Sequence, residues 1–307
     1  MHRFKSLSAL LHLAVTILMV GLYLNNFAAL SDAKIAAPLK EKSETPNMRI
    51  VSIGGTITEI LYALGSGSEI VAVDSTSRYP KEALTKPNIG YMRRLSAEPI
   101  LSLDPTKVLA IEDSGPLVVL DQVRDAGQDI NLISDEPSLE GVYAKIQEIS
   151  SAINKQEAGE KLVDELRAGL KPITDTIAKA DRRPRVLLLL SFGRGGSPVA
   201  AGKNTSADSI ISIAGAQNTI EDFEGYKPLS PEVAVTASPD FIITTNRSLG
   251  MIGGIDKLIE IPGLSITPAA KNKNIIVMDG LLLLGFGLRI DEALEELGSQ
   301  LYPGLKF

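Results

Sequence analysis

The sequence predicts an α/β protein of two similar lobes, each a parallel sheet covered by helices, joined by one long helix. Three observations carry this expectation. Strand and helix signals alternate through both halves of the chain, a long amphipathic segment separates the halves, and a short motif occurs once in each. The motif reads GYMRRLSAEPILSLDP from Gly90 and GYKPLSPEVAVTASPD from Gly225. Gly-Tyr, Leu-Ser-x-Glu and a proline seven residues past the glutamate thus recur, with Glu98 and Glu232 standing 134 positions apart.

The chain opens on Met1-His2-Arg3-Phe4-Lys5, runs through an apolar stretch from Leu7 to about Leu24, and reaches small and polar residues at Ala28, Ala29, Ser31 and Ala33. A basic start, an apolar middle and a small-residue exit are the order of a secretory signal. Residues 1–33 are therefore expected to be a signal peptide cut close to Ala33. An uncleaved anchor is the alternative, because the apolar run is near the length of a membrane span. Residues 34–47, with Pro38 and Pro46, read as a polar tether. About 270 residues remain, enough for two separate cores.

The N-terminal lobe is expected over 48–153. Arg49 to Ile53 reads as a buried strand, Gly54-Gly55 as a tight turn, and Thr56 to Leu64 as a helix stopped by Gly65. Glu69 to Val73, Lys107 to Ile111 and Gln128 to Ile133 are further strands, with a helix over Leu117 to Ala126 between the last two. Such alternation argues for a parallel sheet with helices on both faces. Across 154–181, Ala158, Leu162, Leu166, Leu170, Ile173 and Ile177 recur at helical spacing among charges. That predicts a linking helix of about 25 residues, or about 40 Å. The C-terminal lobe, 182–307, restarts the alternation with a strand at Arg185 to Leu190, a helix at Ala207 to Ala214, and strands at Phe241 to Thr245 and Asn274 to Met278. Each Leu-Ser-x-Glu opens a short helix, with Ser96 or Ser230 as N-cap and the glutamate near the positive end of the helix dipole.

Composition excludes several functions. A net charge of −6 argues against a nucleic-acid partner, whose phosphates demand a basic face. Without cysteine, the chain can form neither disulfides nor a lipid-bearing cysteine, so a soluble, unlipidated periplasmic protein is expected. The only histidines, His2 and His12, lie in the signal, which removes zinc sites of the usual kind and any Ser-His or Cys-His pair from the mature chain. Gly54-Gly55 lacks the full Gly-x-Gly-x-x-Gly spacing and a P-loop lysine, so a phosphate-binding turn is a weak reading.

Several segments resemble the periplasmic haemin-binding proteins of bacterial ABC importers. These belong to the helix-linked (class III) periplasmic binding proteins, two Rossmann-like lobes that also serve cobalamin and siderophores. The likeness runs from Arg49 to the C-terminus through Gly54-Gly55-Thr56-Ile57-Thr58-Glu59, the two Gly-Tyr motifs, Ala201-Gly202-Lys203-Asn204-Thr205-Ser206-Ala207-Asp208, Ala214-Gly215-Ala216-Gln217-Asn218 and Leu283-Leu284-Gly285-Phe286-Gly287-Leu288-Arg289. It implies that Tyr91 is the axial ligand of ferric haem, that haem b is the transported ligand, and that Glu98 and Glu232 dock onto the permease subunits. It further implies a non-enzymatic monomer that is not embedded in the membrane after signal cleavage, with a siderophore or cobalamin receptor as the alternative.

The chemistry of the residues agrees. Ferric iron is a hard ion that favours an anionic oxygen, and a phenolate is a known haem ligand. A free phenol ionises only near pH ~10; iron, with Arg93 or Arg94 nearby, supplies the positive charge that favours the phenolate. Either arginine could equally meet the haem propionates, and the roles stay open between them. Tyr226 either lines the opposite wall of the cleft or packs at the start of its helix. Some members of the family carry a histidine after the first strand of the second lobe; here Phe192 stands at the equivalent place, expected to pack on the porphyrin face, with Arg194 reaching a propionate. Glu59 reads as a helix-surface residue.

Overall fold

The computed structural model describes residues 48–193 and 197–307. The signal, the tether and Arg194 lie outside the described residues.

The first sheet has the order β2-β1-β3-β4, built from β1 (Ile50–Ile53), β2 (Ile70–Val73), β3 (Lys107–Ile111) and β4 (Ile130–Ile133), all parallel. Ile50, Val51 and Ile53 are wholly buried because β1 is central and covered on both faces, which is why it reads as an apolar stretch broken only by Ser52. Helices α1 (Gly55–Ala63), α2 (Ala97–Leu101), α3 (Leu117–Asp125) and α4 (Leu139–Ala152) connect and cover these strands.

The linking helix α5 spans Gln156–Ile177, 22 residues, or about 33 Å. It begins later than the periodicity suggests because Asn154 takes a left-handed conformation (φ 58°) just past the end of α4, a turn that a short polar side chain tolerates. Pro172 lies inside the helix. An interior proline costs about 3 kcal/mol, and here it is offset by burial of Leu170, Ile173 and Ile177 around it. The buried stripe packs on α4 of the first lobe and on α12 (Ile290–Leu301) of the second.

The second lobe differs from a purely parallel expectation. Its strands β5 (Arg185–Phe192), β7 (Gln217–Asn218), β9 (Phe241–Thr245) and β10 (Ile275–Met278) pair in parallel, but β6 (Pro198–Ala201) runs antiparallel to both β5 and β8 (Tyr226–Pro228). Only a few residues join β5 to β6, too few for a parallel crossover, so the pair forms a hairpin. Helices α6 (Ser206–Ile213), α7 (Pro231–Ala237), α8 (Asn246–Ile252), α9 (Ile255–Ile259), α10 (Pro268–Lys271) and α11 (Gly280–Leu284) complete the lobe.

Buried charges tie the lobes together. Glu59 on α1, expected at the surface, is 4% exposed and accepts a hydrogen bond from Arg289 Nη2 at 2.5 Å. The Arg289 guanidinium also lies over the Tyr79 ring, 3.9 Å from its centre. Lys145 on α4 is fully buried; its ammonium donates to Asp135 at 2.5 Å and, across the lobes, to the Phe286 carbonyl at 3.0 Å. Close approach is needed here: a Cβ on Gly287 would come within 2.9 Å of Thr56 Cγ2 and 3.2 Å of Glu59 Oε2.

Burial holds the Glu59 carboxyl above its ordinary 4.5, with the hydrogen bond and charge of Arg289 pulling the other way. A carboxyl raised in the native state favours folding most fully below its unfolded value, and that contribution fades as pH rises through the native one. The stability of the wild type relative to Glu59→Gln, from paired urea midpoints, is therefore expected to be greatest below 4.5 and to shrink as pH is raised above it. A difference that is flat or grows with pH counts against this.

Candidate functional site

In open α/β sheets, ligands bind outside the carboxyl ends of the strands. In the first lobe that edge is organised by Asp74, fully buried at the end of β2. Asp74 Oδ1 accepts from the Gly54 N–H at 3.0 Å and the Ser77 hydroxyl at 2.9 Å, while Oδ2 accepts from the Thr76 N–H at 3.0 Å. Thr76 Oγ1 in turn accepts from the Gly55 N–H at 3.0 Å. Both glycine amides are thus satisfied within the protein, which settles the weak phosphate-turn reading. Gly54 itself has φ 123°, and a Cβ there would lie 2.6 Å from Ile111 Cγ1, so only glycine fits.

The same loop fastens the segment that carries Tyr91. The Ser75 N–H donates to the Gly90 carbonyl at 2.8 Å, and the Ile89 N–H to the Val73 carbonyl at 3.0 Å. Met92 and Leu95 then plug into the core, leaving Tyr91, Arg93 and Arg94 facing out. A second strap joins this segment to the loop after β3: Gly115 N–H to the Met92 carbonyl at 2.9 Å, and Leu95 N–H to the Gly115 carbonyl at 3.0 Å.

Between these straps Tyr91 is 40% exposed, and its phenol oxygen accepts from Arg93 Nη1 at 2.9 Å. Arg93 Nη2 donates to Asp113 at 3.0 Å. Burial opposes the Arg93 charge most strongly, but the hydrogen bonds to Tyr91 and Asp113 outweigh it and hold the guanidinium above its ordinary range. This separates two arginines that sequence reasoning left interchangeable: Arg93 serves the phenol, and Arg94 is exposed with no side-chain hydrogen bond or ion pair among the described residues. Asp113, the third member, carries no sequence signal, because its partner is distant along the chain.

In the second lobe the expected residues stand apart. Phe192 is 6% exposed, opposite Pro198 in the β5–β6 hairpin and packed in a core with Leu189, Ala200 and Leu229. It supports the wall rather than offering a face to a ligand, a correction to the sequence expectation. Tyr226 lies on the edge strand β8 beside Ala201, its hydroxyl 3.1 Å from that of Ser206, and shares no hydrogen bond with the Tyr91 group. Arg247, missed from sequence, stands in the first turn of α8 at the carboxyl end of β9, exposed and without an ion-pair partner among the described residues. A cavity of about 450 Å³ between Pro198, Leu229, Pro231, Met251 and Ile261 has no lining residue from the first lobe.

A family model described as "periplasmic binding protein" matches residues 50–281, about three quarters of the chain. The chain belongs to the periplasmic binding protein family. Among solved structures it is similar to the periplasmic heme-binding protein RhuT from Roseiflexus sp. RS-1 in apo form, with 41% identity, a TM-score of 0.81, and coverage of 83% of this chain and 98% of that one. Among curated proteins it is similar to an uncharacterized ABC transporter substrate-binding lipoprotein of Bacillus subtilis, 29% identical over 83% of this chain and 80% of the relative. A vitamin B12-binding protein of Vibrio campbellii is 26% identical over 68% and 74%. The chain is thus a substrate-binding protein of an ABC transporter, not an enzyme.

A periplasmic binding protein of this kind meets a membrane permease. Glu98 and Glu232, one per lobe, are both exposed at the starts of their helices. Their caps differ: Ser230 accepts from the Val233 N–H at 3.3 Å, whereas the Ser96 hydroxyl makes no cap hydrogen bond. The backbone N–H of Glu232, followed by the Ser230 hydroxyl, holds its carboxyl below the ordinary range. No described helix is long and apolar enough to cross a membrane.

Asp74 is the member of this edge whose loss spreads furthest. Asp74→Ala leaves several buried donors without an acceptor and is expected to cost about 2–4 kcal/mol. It should also speed hydrogen exchange at the Ser75 amide, which bonds Gly90. An unchanged urea midpoint with unchanged exchange would count against this role.

Proposed function

We propose that this protein captures ferric haem in the cleft between its lobes and delivers it to an inner-membrane ABC importer. The observation that carries the reading is the Tyr91–Arg93–Asp113 chain, with a solvent-facing phenol oxygen accepting from a guanidinium at 2.9 Å. The hydrogen bond from Arg93 fixes where the phenol oxygen points, and a phenol oxygen is a known ligand of ferric haem iron. Asp113 keeps the guanidinium aimed at the phenol. Arg94 and Arg247 have unpaired charges free to meet propionates, for which a forked guanidinium is well suited. The described residues include no histidine, and Tyr91 is the iron ligand in this reading. The likeness to the periplasmic heme-binding protein RhuT supports the same reading.

In this reading haem b is the cargo, residues 1–33 are a signal removed on export, residues 48–153 and 182–307 are the lobes and 154–181 the link. The mature monomer is periplasmic and, having no cysteine, carries no lipid on one. Glu98 and Glu232 dock onto the permease subunits. A cobalamin receptor is the second reading, favoured by the vitamin B12-binding relative; it has no use for an anionic phenol.

Titration with haemin, alongside cyanocobalamin and a ferric siderophore, tests the cargo. The wild type should give the charge-transfer spectrum of tyrosinate-bound ferric haem. Tyr91→Phe should lose that spectrum and bind haemin at least about tenfold more weakly, roughly 1.4 kcal/mol. Equal affinity with an unaltered spectrum would remove the assignment. Docking is read separately: a Glu98→Ala, Glu232→Ala double variant should bind haemin normally but transfer it to the reconstituted importer several-fold more slowly. A normal transfer rate would overturn that role.

A further inference from the structure

Two large aliphatic side chains stand mostly exposed at the carboxyl edge of the first sheet, uncovered among the described residues. Leu117 is 65% exposed and Val118 60%, adjacent residues in the first turn of α3. They follow Gly115-Pro116, and Gly115 is the residue strapped on both sides to the Tyr91 segment: its N–H donates to the Met92 carbonyl at 2.9 Å and its carbonyl accepts from Leu95 at 3.0 Å. Asp113, two residues before Gly115, holds Arg93 at 3.0 Å, and Arg93 holds the Tyr91 oxygen. The apolar pair is therefore fixed by three hydrogen bonds to the same short segment that presents the phenol.

The rest of α3 is amphipathic in the ordinary way. Leu120 and Val123 are buried on the sheet, and Asp121, Gln122, Arg124 and Asp125 face water. A surface turn in such a helix has no folding reason to carry leucine and valine side by side, and water is a poor neighbour for both. They form an apolar step on the stretch that is strapped to the Tyr91 segment.

We infer that Leu117 and Val118 form the platform on which a flat macrocycle rests while Tyr91 holds its metal, and that this platform selects a porphyrin over a corrin. The inference deepens the haem reading and rests on it. A porphyrin presents a broad apolar plane whose charges are confined to two propionates at one edge. Bare aliphatic carbon matches that plane, and covering both side chains removes apolar surface from water on each partner. A corrin is puckered and ringed with amide side chains; laid on the same shelf, those amides would be desolvated against leucine and valine with no hydrogen-bond partner, a penalty that works against that cargo.

The platform and the metal ligand are separable by using two probes, haemin and metal-free protoporphyrin IX, the second of which has no iron for Tyr91. Both residues are exposed, so Leu117→Asn with Val118→Asn should melt at the wild-type temperature, and a Leu117→Met, Val118→Ile variant serves as the conservative control. The double asparagine variant is expected to bind haemin and protoporphyrin IX about tenfold to a hundredfold more weakly, to keep the tyrosinate-type spectrum once loaded with haemin, and to lose preference for haemin over cyanocobalamin. The conservative variant should bind as the wild type does. Tyr91→Phe should weaken haemin alone and leave protoporphyrin IX untouched. If the wild type binds haemin through Tyr91 and the asparagine variant binds both probes as tightly as the wild type, the platform is overturned and the haem reading stands. If the wild type binds neither probe, the haem reading falls and the platform with it.

Discussion

The architecture depends on charges that neither lobe can bury alone. Glu59 of the first lobe finds its charge partner at Arg289 of the second, and Lys145, paired with Asp135 in its own lobe, donates also to the Phe286 carbonyl across the lobes. An ion pair of this kind adds little stability over a well-packed apolar contact, but one left half-made is severely unfavourable. Its effect is therefore on geometry: the lobes meet in an arrangement that pairs Glu59 with Arg289 and gives the Lys145 ammonium a second acceptor. Thr56 packing against the backbone at Gly287, with no room for a side chain, sharpens the same constraint. The long helix α5 sets the overall spacing from behind by lying on α4 and α12 together.

From that base the first lobe builds outward in a sequence of local bonds. Asp74 folds the loop after β2 onto the end of β1, Ser75 passes that order to Gly90, and Gly115 clamps the far side of the Tyr91 segment. Met92 and Leu95 anchor the segment to the core, which turns Tyr91 and its two arginine neighbours toward solvent. The second lobe is built otherwise. Its Gly-Tyr motif lies on an edge strand and its tyrosine is tied to Ser206. Similar sequence in the two halves therefore does not mean equal roles; what the motifs share is the short helix with its exposed glutamate.

Much of the fold was legible because its signals are local. Buried parallel strands such as Ile50–Ile53 appear as apolar runs, and the stripe from Leu166 to Ile177 betrays a helix buried on one face. The antiparallel β6 was not anticipated, since its direction follows from the shortness of its connection and not from its composition. The site was legible in part. Tyr91 and the glutamates could be singled out from motif spacing and family likeness. The burial of Glu59 could not, because a glutamate on a helix looks the same whether its partner is water or an arginine 230 residues away. Arg93 and Arg94 were indistinguishable for the same reason: Asp113, which fixes one of them, lies 20 positions further on. Phe192 was misread because a strand end reads as a cleft wall until its neighbours are known, and here those neighbours are Pro198 and the second core.

The phenol of Tyr91 faces water and accepts a hydrogen bond from its guanidinium neighbour. In the proposed haem reading such a fixed phenol is a preformed contact, and association runs at the ordinary rate of a preformed site. Differences in tightness among variants then fall on residence time. For the proposed haem carrier, which has to surrender what it holds, the lifetime of one metal–oxygen bond becomes the clock that its importer must reset.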